Sequence, residues 1–247
     1  MRLLLGIMVV LLTACTSTRD HAEEKKSHNY QAMAEAAFNY SQYDRAEHFY
    51  VLLTEEQPDD AHYQVMLARS LYLQDKKQAA IARLQKMAYE RASSEAALYL
   101  GKYHLKGGDY VEGEKAYRSG LSNLGEQSKP SIEGALHNGL GAALVSQRQF
   151  KEGVGHFEKA TQIEPDNATY RSNLSLAWLT NGETEKAREV FTPLLSYKNL
   201  SPRVEMNFAL ILLAENREEE ARNILARHMT KNQVDKDIAK LKRRSIP

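Results

Sequence analysis

Cysteine, proline and glycine are all scarce: one, six and thirteen in 247 residues. A single cysteine excludes an internal disulfide and any metal cluster built on cysteines. So few prolines and glycines argue against a turn-rich β architecture, whose tight connections need those residues. Neither sign of charge is in excess, with 33 lysines and arginines against 32 aspartates and glutamates. That balance lacks the basic surplus by which a nucleic-acid-binding surface announces itself, and no nucleic-acid partner is expected. Long apolar runs are missing too. The run at the start, Leu3 to Leu12, falls well short of the roughly twenty residues that cross a bilayer. What is left is 43% apolar and 26% charged, in a chain long enough to bury a sizeable core.

The short apolar run has another reading. Arg2 supplies a basic n-region and Leu3 to Leu12 the apolar h-region of a signal peptide. It closes on Leu12-Thr13-Ala14-Cys15, which resembles the bacterial lipobox. The resemblance implies a diacylglycerol on the Cys15 sulfur, cleavage before it, and acylation of the new amino group. Thr16 stands where many inner-membrane lipoproteins carry aspartate. The implied location is therefore the outer membrane of a Gram-negative bacterium, on its periplasmic face. Several acyl chains, at about 0.8 kcal/mol per buried CH₂, would make detachment negligible. Residues 1–14 thus read as a lipoprotein signal peptide. Residues 15–26, polar and aperiodic, read as a lipidated flexible tether. Without the first fourteen residues, whose one charge is Arg2, the chain carries 32 charges of each sign.

Beyond residue 26 the sequence repeats. A small residue appears as Ala46, Ala80, Gly113, Gly153, Ala187 and Ala221, spaced by 34, 33, 40, 34 and 34. Four residues after each stand Tyr50, Leu84, Tyr117, Phe157, Phe191 and Leu225. Pro58 and Pro165 follow Ala46 and Gly153 by twelve, where a proline stops a helix. Two antiparallel helices approach to 8–10 Å only where their crossing carries small side chains. A large residue one turn on shares that face and fills the gap to the next hairpin. The fourth unit, with Leu140-Gly141, Phe150, Gly153, Phe157, Ala160 and Pro165, shows the pattern most fully. It resembles the tetratricopeptide repeat.

That resemblance implies an all-α fold, a right-handed superhelical solenoid of six hairpins. The expected organisation is units 1–3 over 27–127, a looser inserted joint at 128–133, and units 4–6 over 134–235. The remainder of a capping helix and a tail then occupy 236–247. Val234, Ile238 and Leu241 share one helical face of that cap. Ala187 is expected at a helix crossing and Ser172 outside it.

The residues contain no catalytic constellation. There is no His-Glu-x-x-His, and no two histidines sit four apart as zinc ligands would. His28 and His62 echo each other through the repeat. Gly139-Leu140-Gly141 mimics part of a dinucleotide loop, but no strand precedes it. Neither catalytic nor metal residues are assigned, no cofactor is expected, and the chain reads as a non-enzyme.

In tetratricopeptide arrays the first helices of the hairpins line a concave groove. Carried over to this sequence, the N-terminal half of that groove is charged, with Glu35, Arg69, Tyr72, Lys102 and Lys106. The C-terminal half is apolar with a few amides: Asn138, Asn173, Leu176, Leu179, Arg203, Met206, Asn207, Leu210 and Leu213. By the same resemblance Asn173 and Asn207 would hydrogen-bond the backbone of a bound peptide. An open groove would take a helix or peptide with large side chains. Alternatively, the cap or the insertion covers those leucines.

A narrower resemblance rests on Asn173-Leu174-Ser175-Leu176-Ala177 and on Ser201-Pro202-Arg203-Val204-Glu205-Met206-Asn207-Phe208-Ala209-Leu210. Together with the lipobox these are similar to the TadD lipoproteins of tight-adherence (Flp-type) pilus systems. The implied role is a scaffold for assembling the pilus apparatus at the outer membrane, with a secretin pore or another assembly component as partner. Other outer-membrane assembly lipoproteins remain open, such as a type IV pilus pilotin or an envelope adaptor. So does an accessory of cell-wall metabolism.

Overall fold

The computed structural model describes residues 29–126 and 128–244. Cys15 and the 15–26 tether lie outside the described residues. Within them there are thirteen α-helices and no strand. They pair in chain order as α1 (29–39) with α2 (Tyr43–Glu56), α3 (Ala61–Leu73) with α4 (Lys77–Gln85), and α5 (Ser94–Gly107) with α6 (Tyr110–Ser122). Then come α7 (Pro130–Ser146) with α8 (Phe150–Ile163), α9 (Ala168–Thr180) with α10 (Thr184–Phe191), and α11 (Pro202–Ala214) with α12 (Glu218–Leu225). A last helix, α13 (Lys231–Arg244), follows. Local chemistry starts several first helices. Asp60 accepts from the Tyr63 amide, Asn167 from those of Thr169 and Tyr170, and Ser201 from that of Val204, each worth about 1 kcal/mol.

All six small residues are buried, Ala46, Ala80, Ala187 and Ala221 to 0% exposure, and so are the six large residues one turn on. In the fourth hairpin the crossing carries glycine on both helices. A Cβ on Gly141 would stand 2.9 Å from the Gly153 carbonyl oxygen, and one on Gly153 would stand 3.0 Å from that of Gly141. Gly139 lies against the Tyr117 ring, where a Cβ would come within 2.3 Å. The two glycines that mimic a phosphate loop are thus mid-helix contact points. Burial holds the Tyr117 phenol far above its ordinary pKa. Ser172 is not at the Ala187 crossing, where Ser175 stands, yet it too is packed: it is 1% exposed and its hydroxyl accepts from Asn207 Nδ2 of α11 at 2.9 Å. It is as constrained as Ala187, because its side chain is the seat of the next hairpin.

Every first helix closes in the same way. Ser41, Asp75, Gly108, Arg148, Gly182 and Asn216 all have φ between 59° and 87°. The residue after each donates its amide to a carbonyl five back: Gln42 to Ala37, Lys76 to Leu71, Asp109 to His104, Gln149 to Leu144, Glu183 to Trp178 and Arg217 to Leu212. This left-handed closure satisfies the end of the helix and turns the chain back. Only two of the six are glycine, although a side chain there costs about 1–2 kcal/mol.

The expected joint at 128–133 is mostly helix. Pro130 takes the first helical position of α7, where its ring is already shaped for a helix, so the insertion lengthens α7 to 17 residues. The chain divides instead into two compact units within α5, one ending at Leu100 and the other beginning at Gly101. The second hairpin ends in a single π-helical turn, Lys86–Glu90, ahead of a third unit that is one residue short of register with it. The cap starts at Lys231, earlier than Val234, and buries Val234 and Ile238 against Ala209, Leu212, Ala221 and Leu225.

The fourth hairpin also holds a histidine pair. His137 Nδ1 and His156 Nδ1 are 2.9 Å apart and their ring centroids 5.1 Å apart, with the planes 26° from parallel. The difference between the two distances is close to two imidazole radii, so both nitrogens lie nearly on the line of centroids. This is the geometry of one shared proton, N–H to N, which a second proton would break. Burial lowers both pKa values, that of His156 to about 4. The partner histidine and Lys159 add to the effect on His156, against Glu152, while Lys159 outweighs Glu133 at His137.

This packing sets the sign of two substitutions. Gly139→Ala should destabilise by about 1–3 kcal/mol through overpacking on Tyr117. Gly155→Ala in α8, with open space around its Cβ, should stabilise by about 0.5–1 kcal/mol; shifts of the same sign in thermal melts would contradict the packing. For the histidine pair, both folded pKa values lie below the ordinary value near 6.5, so the unfolded chain binds the extra protons. The pair's contribution to stability should be complete above about pH 6.5, decline as the pH falls, and be gone once His156 protonates near 4. Between pH 7 and 5 the melting temperature should drop by about 2–4 °C per kcal/mol lost. His156→Gln should remove most of that slope; an unchanged slope would contradict the shared proton.

Candidate partner-binding face

The first helices carry the expected groove residues in both compact units. In the first unit, Arg69 on α3 is partly exposed and Tyr72 is buried to 7%. Arg69 Cζ lies 4.7 Å from the Phe38 ring centroid and 4.4 Å from that of Tyr99. Glu35 on α1 is exposed, and its Oε1 accepts from Gln31 Nε2.

In the second unit the amides form a ladder. Asn173 Nδ2 on α9 donates to Asn138 Oδ1 on α7 at 2.8 Å. Asn207 on α11 repeats the contact one hairpin on, toward Ser172 of α9. Asn173 and Asn207 are only 9% and 8% exposed. A donor of each is therefore already engaged in joining neighbouring hairpins, which corrects the expectation that both stand open to a peptide.

All five apolar groove residues, Leu176, Leu179, Met206, Leu210 and Leu213, are partly buried. Leu179 packs on the cluster of Ala187, Phe191, Leu194, Val204 and Ile211. Met206 and Leu213 pack on the cluster that α13 completes with Val234 and Ile238. Leu176 and Leu210 remain partly exposed, and Arg203 is exposed near the start of α11. These three, beside the amide ladder, belong to an accessible face of the second unit.

A second recurrent contact, invisible in the repeat signature, joins hairpins near the turns. Gln74 Nε2 donates to Glu47 Oε2 at 2.7 Å in the first unit, and Gln147 Nε2 to Glu114 Oε2 at 2.7 Å in the second. At the same repeat positions Arg188 pairs with Glu215 through two guanidinium nitrogens. Arg188 holds the Glu215 carboxyl below its ordinary range. At Glu47, hydrogen bonds from Lys76 and Gln74 outweigh burial, which alone would raise its pKa. Between α8 and α9 the equivalent residues are Val154 and Asn181, an apolar side chain opposite a short amide. There the contact is replaced by a cleft of about 410 Å³ lined by Phe150, Lys151, Val154, Gly155, Glu158, Trp178 and Asn181. Across the described residues no group of three or more metal-ligating side chains occurs.

No curated protein matches the chain in sequence. Sequence models of the tetratricopeptide repeat match residues 138–196 and 179–244. Among solved structures, PilF of Pseudomonas aeruginosa is similar with a TM-score of 0.70 at 12% identity, over 88% of this chain and 98% of its own. MamA from Desulfovibrio magneticus RS-1 reaches 0.57 at 16% identity, over 70% of this chain and 98% of its own. YrrB, described as a TPR protein with an unusual peptide-binding site, reaches 0.53 at 18% identity, over 72% and 89%. Likeness at these identities is one of fold. The chain's fold is accordingly all-α, built of tetratricopeptide-type hairpins, with recognisable repeat sequence from 138 to 244.

Proposed function

We propose that the chain is a protein–protein interaction scaffold, held by lipid on Cys15 at the periplasmic face of an outer membrane. Its task in this reading is assembly of a tight-adherence (Flp-type) pilus, with the secretin pore as partner. The observation that carries the scaffold reading is the accessible face of Leu176, Arg203 and Leu210 beside the Asn138–Asn173 ladder. Apolar side chains left partly exposed along successive first helices suit an amphipathic partner helix. The peptide-binding site named for YrrB accords with that use of the fold. The pilus reading is supported by the TadD-like wording of residues 173–177 and 201–210. The fold shared with PilF is compatible with it and does not carry it alone.

The test is made in the host bacterium by deleting the gene and assaying detergent-resistant multimers of its tight-adherence secretin. The deletion should lose them and the wild-type chain restore them. Cys15→Ser should yield a protein that leaves the outer-membrane fraction and restores them poorly. Leu210→Glu, which would bury an unpaired carboxylate in the complex at several kcal/mol, should stay anchored, melt close to wild type, and fail to restore them. Normal multimers in the deletion strain would contradict the pilus reading. A Cys15→Ser protein still in the outer membrane would contradict the anchor.

A further inference from the structure

The histidine pair of the fourth hairpin has a use beyond its shared proton. The two side chains come from facing helices, His137 on α7 and His156 on α8, nineteen positions apart. The one-turn spacing of helical metal ligands therefore does not reveal them. Both are partly exposed, which leaves a way in from solvent. An imidazole nitrogen without a proton carries its lone pair in the ring plane, pointing straight out from the ring centre. With the nitrogens 2.9 Å apart and close to the line joining the centroids, the two lone-pair directions meet head-on. Burial keeps both rings in the neutral form near neutral pH, the form in which a histidine binds a metal.

Opposed donors select among metal ions. Zinc prefers four ligands in a tetrahedron, whose donor directions converge at an angle, so it would need two more. Among the described residues no group of three or more histidines, cysteines, aspartates and glutamates gathers to supply them. A closed-shell ion of single charge, copper(I) or silver(I), is satisfied by two nitrogens on one line, and imidazole suits copper. Metal–nitrogen bonds of about 2 Å would set the two nitrogens about 4 Å apart, so each ring gives way by roughly half an ångström. The surrounding charges argue the same way. Lys159 stands one turn beyond His156 on α8, and Glu133 one turn before His137 on α7. Glu152, one turn before His156, is held by Arg118 Nη2 at 2.7 Å. Two cations against two anions leave a near-neutral setting, in which a single charge costs less to desolvate than a double one. Glu152 also serves the outer side of the site. A ligating histidine gives its other N–H to a carboxylate or carbonyl, and His156 Nε2 lies 4.0 Å from Glu152 Oε1.

We propose that His137 Nδ1 and His156 Nδ1 together bind one soft monovalent cation, of the chemistry of copper(I) and silver(I), in a linear two-nitrogen site that staples α7 to α8. The protons balance. The one in the N–H to N contact moves to the other nitrogen of its own ring, so each imidazole stays neutral with its proton on Nε2 and none is released. The site is independent of the scaffold reading and of the face that carries Leu210.

The test uses the full chain with ¹⁵N-labelled histidine and with Cys15→Ser, which removes the one thiol that would compete for the same ions. Silver nitrate is titrated in chloride-free buffer at about pH 7.5, above the ordinary histidine pKa. One equivalent should shift two Nδ1 resonances together and split each by coupling to the silver nucleus, with both Nε2–H groups retained. Copper(I), delivered from a competing chelator without oxygen, should give the same paired shift, and zinc(II) should bind more weakly than silver. His137→Gln and His156→Gln should each lower the silver affinity at least about 100-fold, and Glu152→Gln about tenfold. The splitting is read with both histidines in place, so the test stands even where a variant fails to fold. Splitting at neither histidine, or at one alone, would overturn the proposal. Tighter binding of zinc would overturn it too, since it would mark a bent chelate, and so would equal silver affinity in the two glutamine variants. No secretin assay enters these readouts, so failure here leaves the scaffold reading to stand or fall on its own.

Discussion

The structure depends on the close approach of two helices at one small residue in each hairpin. Where that residue is glycine on both helices, as at Gly141 and Gly153, the backbones nearly touch, and no side chain could be added without moving them. Where it is alanine, burial is complete. Everything else is arranged around this approach. The large residue one turn on is carried into the seam with the next hairpin, as Tyr117 is carried onto Gly139. The left-handed residue closing each first helix sets the second helix antiparallel at the distance the crossing needs. Such hairpins are apolar on both sides of their packing plane and require neighbours, or a cap such as α13.

Polar contacts between hairpins refine this packing and shape what remains open. The amide ladder and the Gln–Glu contacts near the turns recur at fixed repeat positions with changing chemistry, including a full ion pair at Arg188 and Glu215. A partly exposed pair contributes less than its charge suggests, on the order of 0–1 kcal/mol, so its value lies in register. The α8–α9 cleft opens where Val154 and Asn181 cannot make the contact.

Much of the fold is legible in the sequence because it is written in residue size. Six small residues and six large ones at a near-constant period locate every crossing, and all twelve are buried. The closures are not legible, since four of the six left-handed residues are Ser41, Asp75, Arg148 and Asn216 rather than glycine; their conformation is imposed by the crossing. The polar insertion suggests a loose joint, because proline and serine favour a loop, whereas Pro130 starts a helix. At the candidate face the repeat locates the positions and only part of their roles. Nothing local in the sequence says that Asn173 and Asn207 engage the preceding hairpin, or that Met206 and Leu213 pack on the cluster that includes Val234 and Ile238 of α13. Those depend on which helix packs next, and so does the aromatic setting of Arg69.

Six equivalent crossings, each locked by the same left-handed closure, make this fold. Native-state hydrogen exchange at the amides of Gln42, Lys76, Asp109, Gln149, Glu183 and Arg217 tests that claim most directly, because each is the donor of one closure. All six should exchange at least about 100-fold more slowly than an unstructured amide, the terminal pair Gln42 and Arg217 less protected than Gln149 beside the tight Gly141–Gly153 crossing. Unprotected exchange at Lys76 or Gln149, whose turns lack glycine, would contradict the account.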